Sequence, residues 1–188
     1  MSTPNPAISR AQVHFIGESC SADTTFEATA ARLLKDQRRL SRFFELNAEP
    51  MGFVAAQTSM YMAAVCLRIF EKVGGRMRKI NTDHLTAAQR RVDPMLAALL
   101  PLDEGFAGRA RGILTRAQPN LLDEVLWALY VRADEAGQDA VLTAQHKAMM
   151  YIMLWTAVEA MDSAWQPPAG WTPESFTLPE GGPQVPEI

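Results

Sequence analysis

Residues 50–75 read PMGFVAAQTSMYMAAVCLRIFEKVGG, and this stretch decides the fold. From Met51 to Leu67 it carries no charged side chain, and its polar groups are few and small. The proline at its start suits the first turn of a helix, and Gly74-Gly75 can take the left-handed conformation that ends one. Because such a helix is apolar on nearly every side, we expect other elements to surround it.

Further helices are predicted around this central one, among them a short helix from about Ala87 and a glycine-containing one over residues 103–117. Apolar residues at helical spacing indicate an amphipathic helix over residues 24–47, joined to the central helix by a short connection. A strong helix starts at Pro119, where proline fits the first turn. The last long helix spans residues 140–165, and its middle is also nearly free of charge. We predict that the two apolar helices pack together.

The predicted fold is all-α, a single-domain antiparallel bundle of five to six helices over residues 23–165. Residues 1–22 are expected to be irregular because prolines and turn-forming residues interrupt them. Residues 166–188 hold six of the twelve prolines, which predicts an extended tail without helix or central strand. This tail either wraps on the bundle through Trp171 and Phe176 or is free in solution.

Composition and charge describe an ordinary globular chain. Of the 188 residues, 48% are hydrophobic and 21% charged, and the formal net charge of −3 is too small to indicate a nucleic acid partner. The charge is unevenly placed, since residues 1–94 carry 13 Lys/Arg against 9 Asp/Glu and residues 95–188 carry 5 against 12. Such polarity can orient subunits or steer a charged partner.

The cellular compartment is predicted from the lack of three sequence features: a disulfide framework, a signal peptide and a membrane span. Cys20 and Cys66 are too few for a disulfide framework, and the N-terminus has no charged region followed by an apolar one. Polar Gln57, Thr58 and Ser59 interrupt the most apolar stretch, so we expect no membrane span. A cytoplasmic location is the prediction.

Motifs for metal, cofactor or catalytic chemistry are weak. The sequence contains no Glu-x-x-His and no pair of cysteines or histidines two to five apart, so we expect no metal and no cofactor. Asp83 with His84, or His146 alone, could act as a base in a hydrolase-type enzyme, and this is the second alternative function. In both places a structural role is the simpler interpretation.

The preferred function is non-enzymatic: a helical protein that self-associates, as a dimer, and binds a protein partner in a regulatory or assembly role. Two helices that are apolar nearly all round are hard to cover inside one small chain, which favours a homodimer. The first alternative is a small apolar ligand held in a Met-rich cavity between residues 50–73 and 140–165. The candidate contact residues are Met60, Met62, Met149, Met150, Met153, Trp155, Trp171 and Phe176.

Overall fold

The structure, a computed structural model, describes residues 4–132 and 142–188, and its regular elements are almost entirely helical. The all-α prediction is confirmed. The helices are α1 Arg10–Ala22, α2 Phe26–Asp36, α3 Arg38–Ala48, α4 Phe53–Val73, α5 Thr82–Val92, α6 Leu96–Leu99, α7 Phe106–Arg111, α8 Pro119–Trp127 and α9 Ala144–Ala164. Short 3-10 turns cover Glu49–Met51, Asp93–Met95 and Pro173–Ser175, and one π-helical turn, Ala128–Arg132, continues α8. Two short strands, β1 Arg76–Met77 and β2 Trp165–Gln166, complete the described elements.

Helix α9, rather than α4, lies at the centre of the molecule. Every residue from Met153 to Asp162 is buried, whichever side of the helix it occupies. α9 makes its most extensive contacts with α5 and also packs on α4 and α8. The predicted contact between the two apolar helices is therefore confirmed, but the expectation that residues 50–75 form the surrounded helix is wrong.

The C-terminal ends of α4 and α9 are fastened to each other. β1 follows α4 and β2 follows α9, and the strands pair antiparallel with Arg76 opposite Gln166. The indole of Trp165 donates a hydrogen bond of 2.9 Å to the carbonyl oxygen of Gly74 and meets the Phe70 ring edge-on at 5.1 Å. Gly74 ends α4 with φ 99°, as predicted, and this conformation favours glycine.

The N-terminal segment is not irregular as expected, because residues 10–22 form α1. The Ser9 side chain caps this helix by accepting from the Gln12 backbone N–H at 3.2 Å. Its buried face includes Gln12, His14 and Gly17, which are not residues of an apolar stripe. Val13, Ile16 and Cys20 do form a short apolar stripe on this face, but the polar residues among them weaken the pattern, and partners distant in sequence stabilise those polar groups.

The single helix predicted over residues 24–47 is two helices, α2 and α3, separated at Gln37. The backbone of Gln37 leaves the helical region with φ −113° and ψ 56°. Its buried side chain accepts from the Ile80 N–H at 2.8 Å and donates to the Arg78 carbonyl oxygen at 3.2 Å. These two bonds hold the segment after β1 against the junction of α2 and α3.

Two further predictions concern the last helix and the tail. α9 is described from Ala144, where the Thr143 hydroxyl caps it, and the predicted start at residue 140 lies outside the described residues. In the tail, the Trp171 ring lies edge-on to Trp165 at 5.3 Å. Farther along, Phe176 lies 5.8 Å from the Phe15 ring of α1. The tail's aromatic side chains thus contact β2 and α1 of their own chain.

Candidate functional site

The residues predicted as contacts do not converge on one site. Met62, Met150, Met153 and Trp155 are buried in the hydrophobic core, where they contact its other members. Met60, Met149 and Trp171 are partly buried and pack against that core, and Phe176 contacts α1. The methionines therefore fill the interior, and none of the described pockets has the predicted lining of both α4 and α9 methionines.

An exposed apolar surface lies on the N-terminal half of α4. Phe53 is 74% exposed, Val54 43% and Tyr61 43%, and Gln57 between them is exposed as well. Phe53, Gln57 and Tyr61 are spaced four residues apart, so they share one side of the helix. We call these four residues the α4 face. It carries no charge and extends over about 12 Å of helix axis, from the rise of about 1.5 Å per residue.

This face leads into a small cleft between α1, α4 and α8. Tyr61 stands at its edge, and the Tyr61 ring meets Phe26 edge-on at 5.6 Å. The cleft has a volume of about 60 Å³. Its walls are mainly apolar and are formed by Met62, Val65, Cys66, Ile69, Leu121 and Val125, with Ser21, Glu124 and Arg132 as polar groups.

The Glu124 carboxylate is the acidic group of this cleft, and it is already paired. One oxygen lies 2.9 Å from Nδ1 of His14, and the other accepts from the Arg10 guanidinium. Both partners come from α1, so these contacts join α1 to α8. His14 also meets the Trp127 ring edge-on at 5.1 Å, and the Arg132 guanidinium lies 5.6 Å from the same ring. The carboxylate thus has a partner at each oxygen, so it is not free to accept a proton from a substrate.

The thiols near the cleft are not activated nucleophiles. Burial, followed by the nearby Cys20, raises the pKa of Cys66 to about 12. Burial also raises the pKa of Cys20. A thiol reacts as its thiolate, so both groups are held in the unreactive form at neutral pH.

Two buried carboxylates on α9 were missed by the sequence analysis. Glu159 accepts from the Ala117 N–H at 2.8 Å, from the Trp155 indole at 3.0 Å and from Arg91 at 2.9 Å. Asp162 accepts from Gln118 at 2.8 Å, and burial raises its pKa. Since every donor except Trp155 is distant in sequence, no local signal could have identified these contacts.

Of the two histidines proposed as bases, His84 has a structural contact through its ring, whereas Nδ1 of His146 is buried without a hydrogen-bond partner among the described residues. His84 and Asn81 form a reciprocal cap at the start of α5, in which Nδ1 of His84 accepts from the Asn81 N–H at 3.2 Å. Burial and the nearby Arg78 lower the pKa of His84. Asp83 is exposed beside it, and the backbone N–H of His146 donates to the Thr143 hydroxyl in the first turn of α9. Among residues 4–132 and 142–188, no group of three His, Cys, Asp or Glu lies close enough to hold a metal ion.

By length and composition, α4 alone among the described helices would be long and apolar enough to cross a membrane. Half of its most apolar window is buried against the rest of the chain. Core helices of globular proteins meet the same criterion, so this observation is weak evidence for a span.

Comparison with known proteins gives no functional assignment. No protein-family model, no curated protein and no solved structure matches this chain.

Proposed function

We propose that this is a non-enzymatic helical protein that self-associates through the α4 face, as a dimer, and serves a regulatory or assembly role. The observation that supports the proposal is the exposure of Phe53, Val54 and Tyr61 on a helix without charge from residue 51 to 67. Large contiguous patches of exposed apolar surface mark interaction sites, and these three side chains are neighbours on one helix.

A second copy of the chain is the occupant that the chemistry of the face favours. The α4 face offers one amide, one tyrosine hydroxyl and otherwise apolar groups, so no charge is present to select a different partner by complementarity. Interfaces of permanent homodimers are the more apolar class. Two such faces related by a twofold axis would place apolar surface against apolar surface, and this symmetry is the commonest among soluble oligomers.

The small-ligand alternative has weaker support. A cleft of about 60 Å³ is well below the roughly 150 Å³ that accommodates benzene in an engineered cavity. It also lies between α1, α4 and α8, not between α4 and α9. In the enzyme alternative, His84 serves as a helix cap, and the described residues place no nucleophile or carboxylate against Nδ1 of His146. The cytoplasmic location and a further protein partner stay predictions.

Sedimentation equilibrium on the purified chain tests self-association. We expect a mass of twice 20.8 kDa at tens of micromolar, and a shift toward monomer in Phe53→Ser. Leu114→Ser is the matched control because Leu114 is 90% exposed but lies in the loop after α7, away from α4. A wild-type monomer at 100 µM would overturn the proposal. If the two substitutions weakened dimerisation equally, the α4 face would not be the surface through which the chain self-associates.

A further inference from the structure

A second surface, distinct from the α4 face, is a cleft with a concentration of positive charge. Its lining includes Lys35 at the end of α2, Arg38 and Arg39 at the start of α3, and Lys79 after β1. Asp36 is the single acid among the lining residues, and Ile80 and Asn81 complete the described wall. We call this surface the basic cleft.

The four cations of the basic cleft have no acidic partner in the part of the chain that the structure describes. No carboxylate oxygen lies within 4.0 Å of the charged nitrogens of Lys35, Arg38, Arg39 or Lys79. Elsewhere the cations are commonly paired: Arg91, for example, lies 2.9 Å from Glu159. The carboxylate of Asp36 is 3.9 Å from Arg32, outside the lining. The cleft therefore keeps a net positive charge.

The backbone that presents these side chains is fixed by the buried Gln37. Its two hydrogen bonds, to the backbone of Arg78 and Ile80, lie on both sides of Lys79 and hold that segment beside α3. Arg38 and Arg39 follow directly in the first turn of α3. The fold separates the basic residues between positions 68 and 91: Lys79 joins the basic cleft, whereas Arg68 and Arg91 pair with acids.

We propose that the basic cleft binds a small, multiply charged phosphate anion. Lys and Arg are the side chains that recognise phosphate, and four of them around one cleft match an anion of three or more charges. None of the lining residues is aromatic, so the cleft lacks the rings on which the bases of single-stranded nucleic acid stack. The compact anion is therefore favoured over an oligonucleotide.

Isothermal titration with inorganic tripolyphosphate at 150 mM salt tests the proposal. We expect saturable binding to the wild-type chain, weakened at least tenfold in the double variant Arg38→Gln/Lys79→Gln. Arg90→Gln is the matched control because Arg90 is also exposed, without an acidic partner among the described residues, and nine positions along the chain from Asn81. This control is expected to bind within twofold of wild type.

Three results would overturn the inference. The first is no binding by wild type at 150 mM salt, and the second is equal weakening in Arg90→Gln, which would indicate diffuse charge attraction. The third is tighter binding of a single-stranded oligonucleotide with the same number of phosphates, which would assign the surface to nucleic acid. All the substituted residues are exposed, and identical thermal unfolding of the variants would show that the fold is kept. Because the basic cleft and the α4 face share no residue, failure here leaves the dimer proposal untouched.

Discussion

Replacing Glu124 by Gln should destabilise the protein strongly, because this carboxylate joins α1 to α8. The Glu124 side chain is 10% exposed, and those of its partners Arg10 and His14 are 17% and 5% exposed. The change removes the charge and leaves the volume nearly unaltered. Arg10 would then be a mostly buried cation without its anion.

The expected loss follows from the burial of the pair. Removing one partner of a buried ion pair costs about 3–5 kcal/mol. Glutamine keeps one acceptor oxygen and Arg10 keeps some contact with water, so we expect about 2–3 kcal/mol for Glu124→Gln. Glu71→Gln is the matched control: Glu71 also pairs with two arginines, Arg32 and Arg68, but its side chain is 37% exposed. Such an exposed pair contributes about 0–1 kcal/mol.

Urea unfolding followed by tryptophan fluorescence measures both variants. With a slope of about 2 kcal/mol per molar urea, Glu124→Gln should lower the midpoint by about 1–1.5 M and Glu71→Gln by less than about 0.5 M. Trp127 lies against His14 and reports directly on this region. A loss in Glu71→Gln equal to or larger than that in Glu124→Gln would refute the reasoning, because the carboxylate on α8 would then not carry the α1 contact.

Four further tests have distinct outcomes. Gly75→Ala should cost more than about 3 kcal/mol by urea unfolding, because φ is 82° and the added Cβ would lie 2.2 Å from a β2 carbonyl oxygen. Gly52→Ala, at φ 89° and ψ 171° but with open space around it, should cost about 1–3 kcal/mol from the backbone conformation alone. The thiols of Cys66 and Cys20 should not react with an aromatic disulfide reagent at pH 8 until guanidinium unfolds the chain, whereas rapid native reaction would contradict the burial that raises their pKa. Trp171→Ala should lower stability by about 1–2 kcal/mol through lost packing on the tryptophan of β2, and an unchanged midpoint would show a tail that is not docked.

Periodicity predicted the helical class and several helix boundaries. It did not predict which of the two apolar helices, α4 or α9, lies at the centre of the molecule. Residues 50–75 have no charge through their middle, whereas α9 carries Glu159 and Asp162 in its last turns. By composition α4 is the better candidate for the centre. In the structure Arg91, Ala117 and Gln118 supply donors to those two carboxylates, so α9 can be buried on all sides. Contacts of this kind join residues tens of positions apart, and no local pattern contains them.

The same limit explains the two helical segments that were misjudged. α1 buries His14 because Glu124 lies opposite it, 110 positions away in the sequence. The break at Gln37 exists because its side chain binds the backbone beside Lys79, 41 and 43 positions farther on. In each case a buried polar side chain finds its hydrogen-bond partner in a residue that is distant in sequence and that only the fold brings close. The basic cleft depends on the second of these contacts and was therefore not predictable as a unit.

The distribution of polar and apolar groups between α9 and α4 is informative for function. Burying a carboxylate is costly unless several donors surround it, and the chain provides them for Glu159 and Asp162. Exposing an apolar ring to water is also unfavourable, yet Phe53 on α4 is left 74% exposed. A chain that stabilises one central helix so completely while leaving the other apolar helix half covered has the arrangement expected of a subunit. This asymmetry supports the proposal that the α4 face is buried against a second copy.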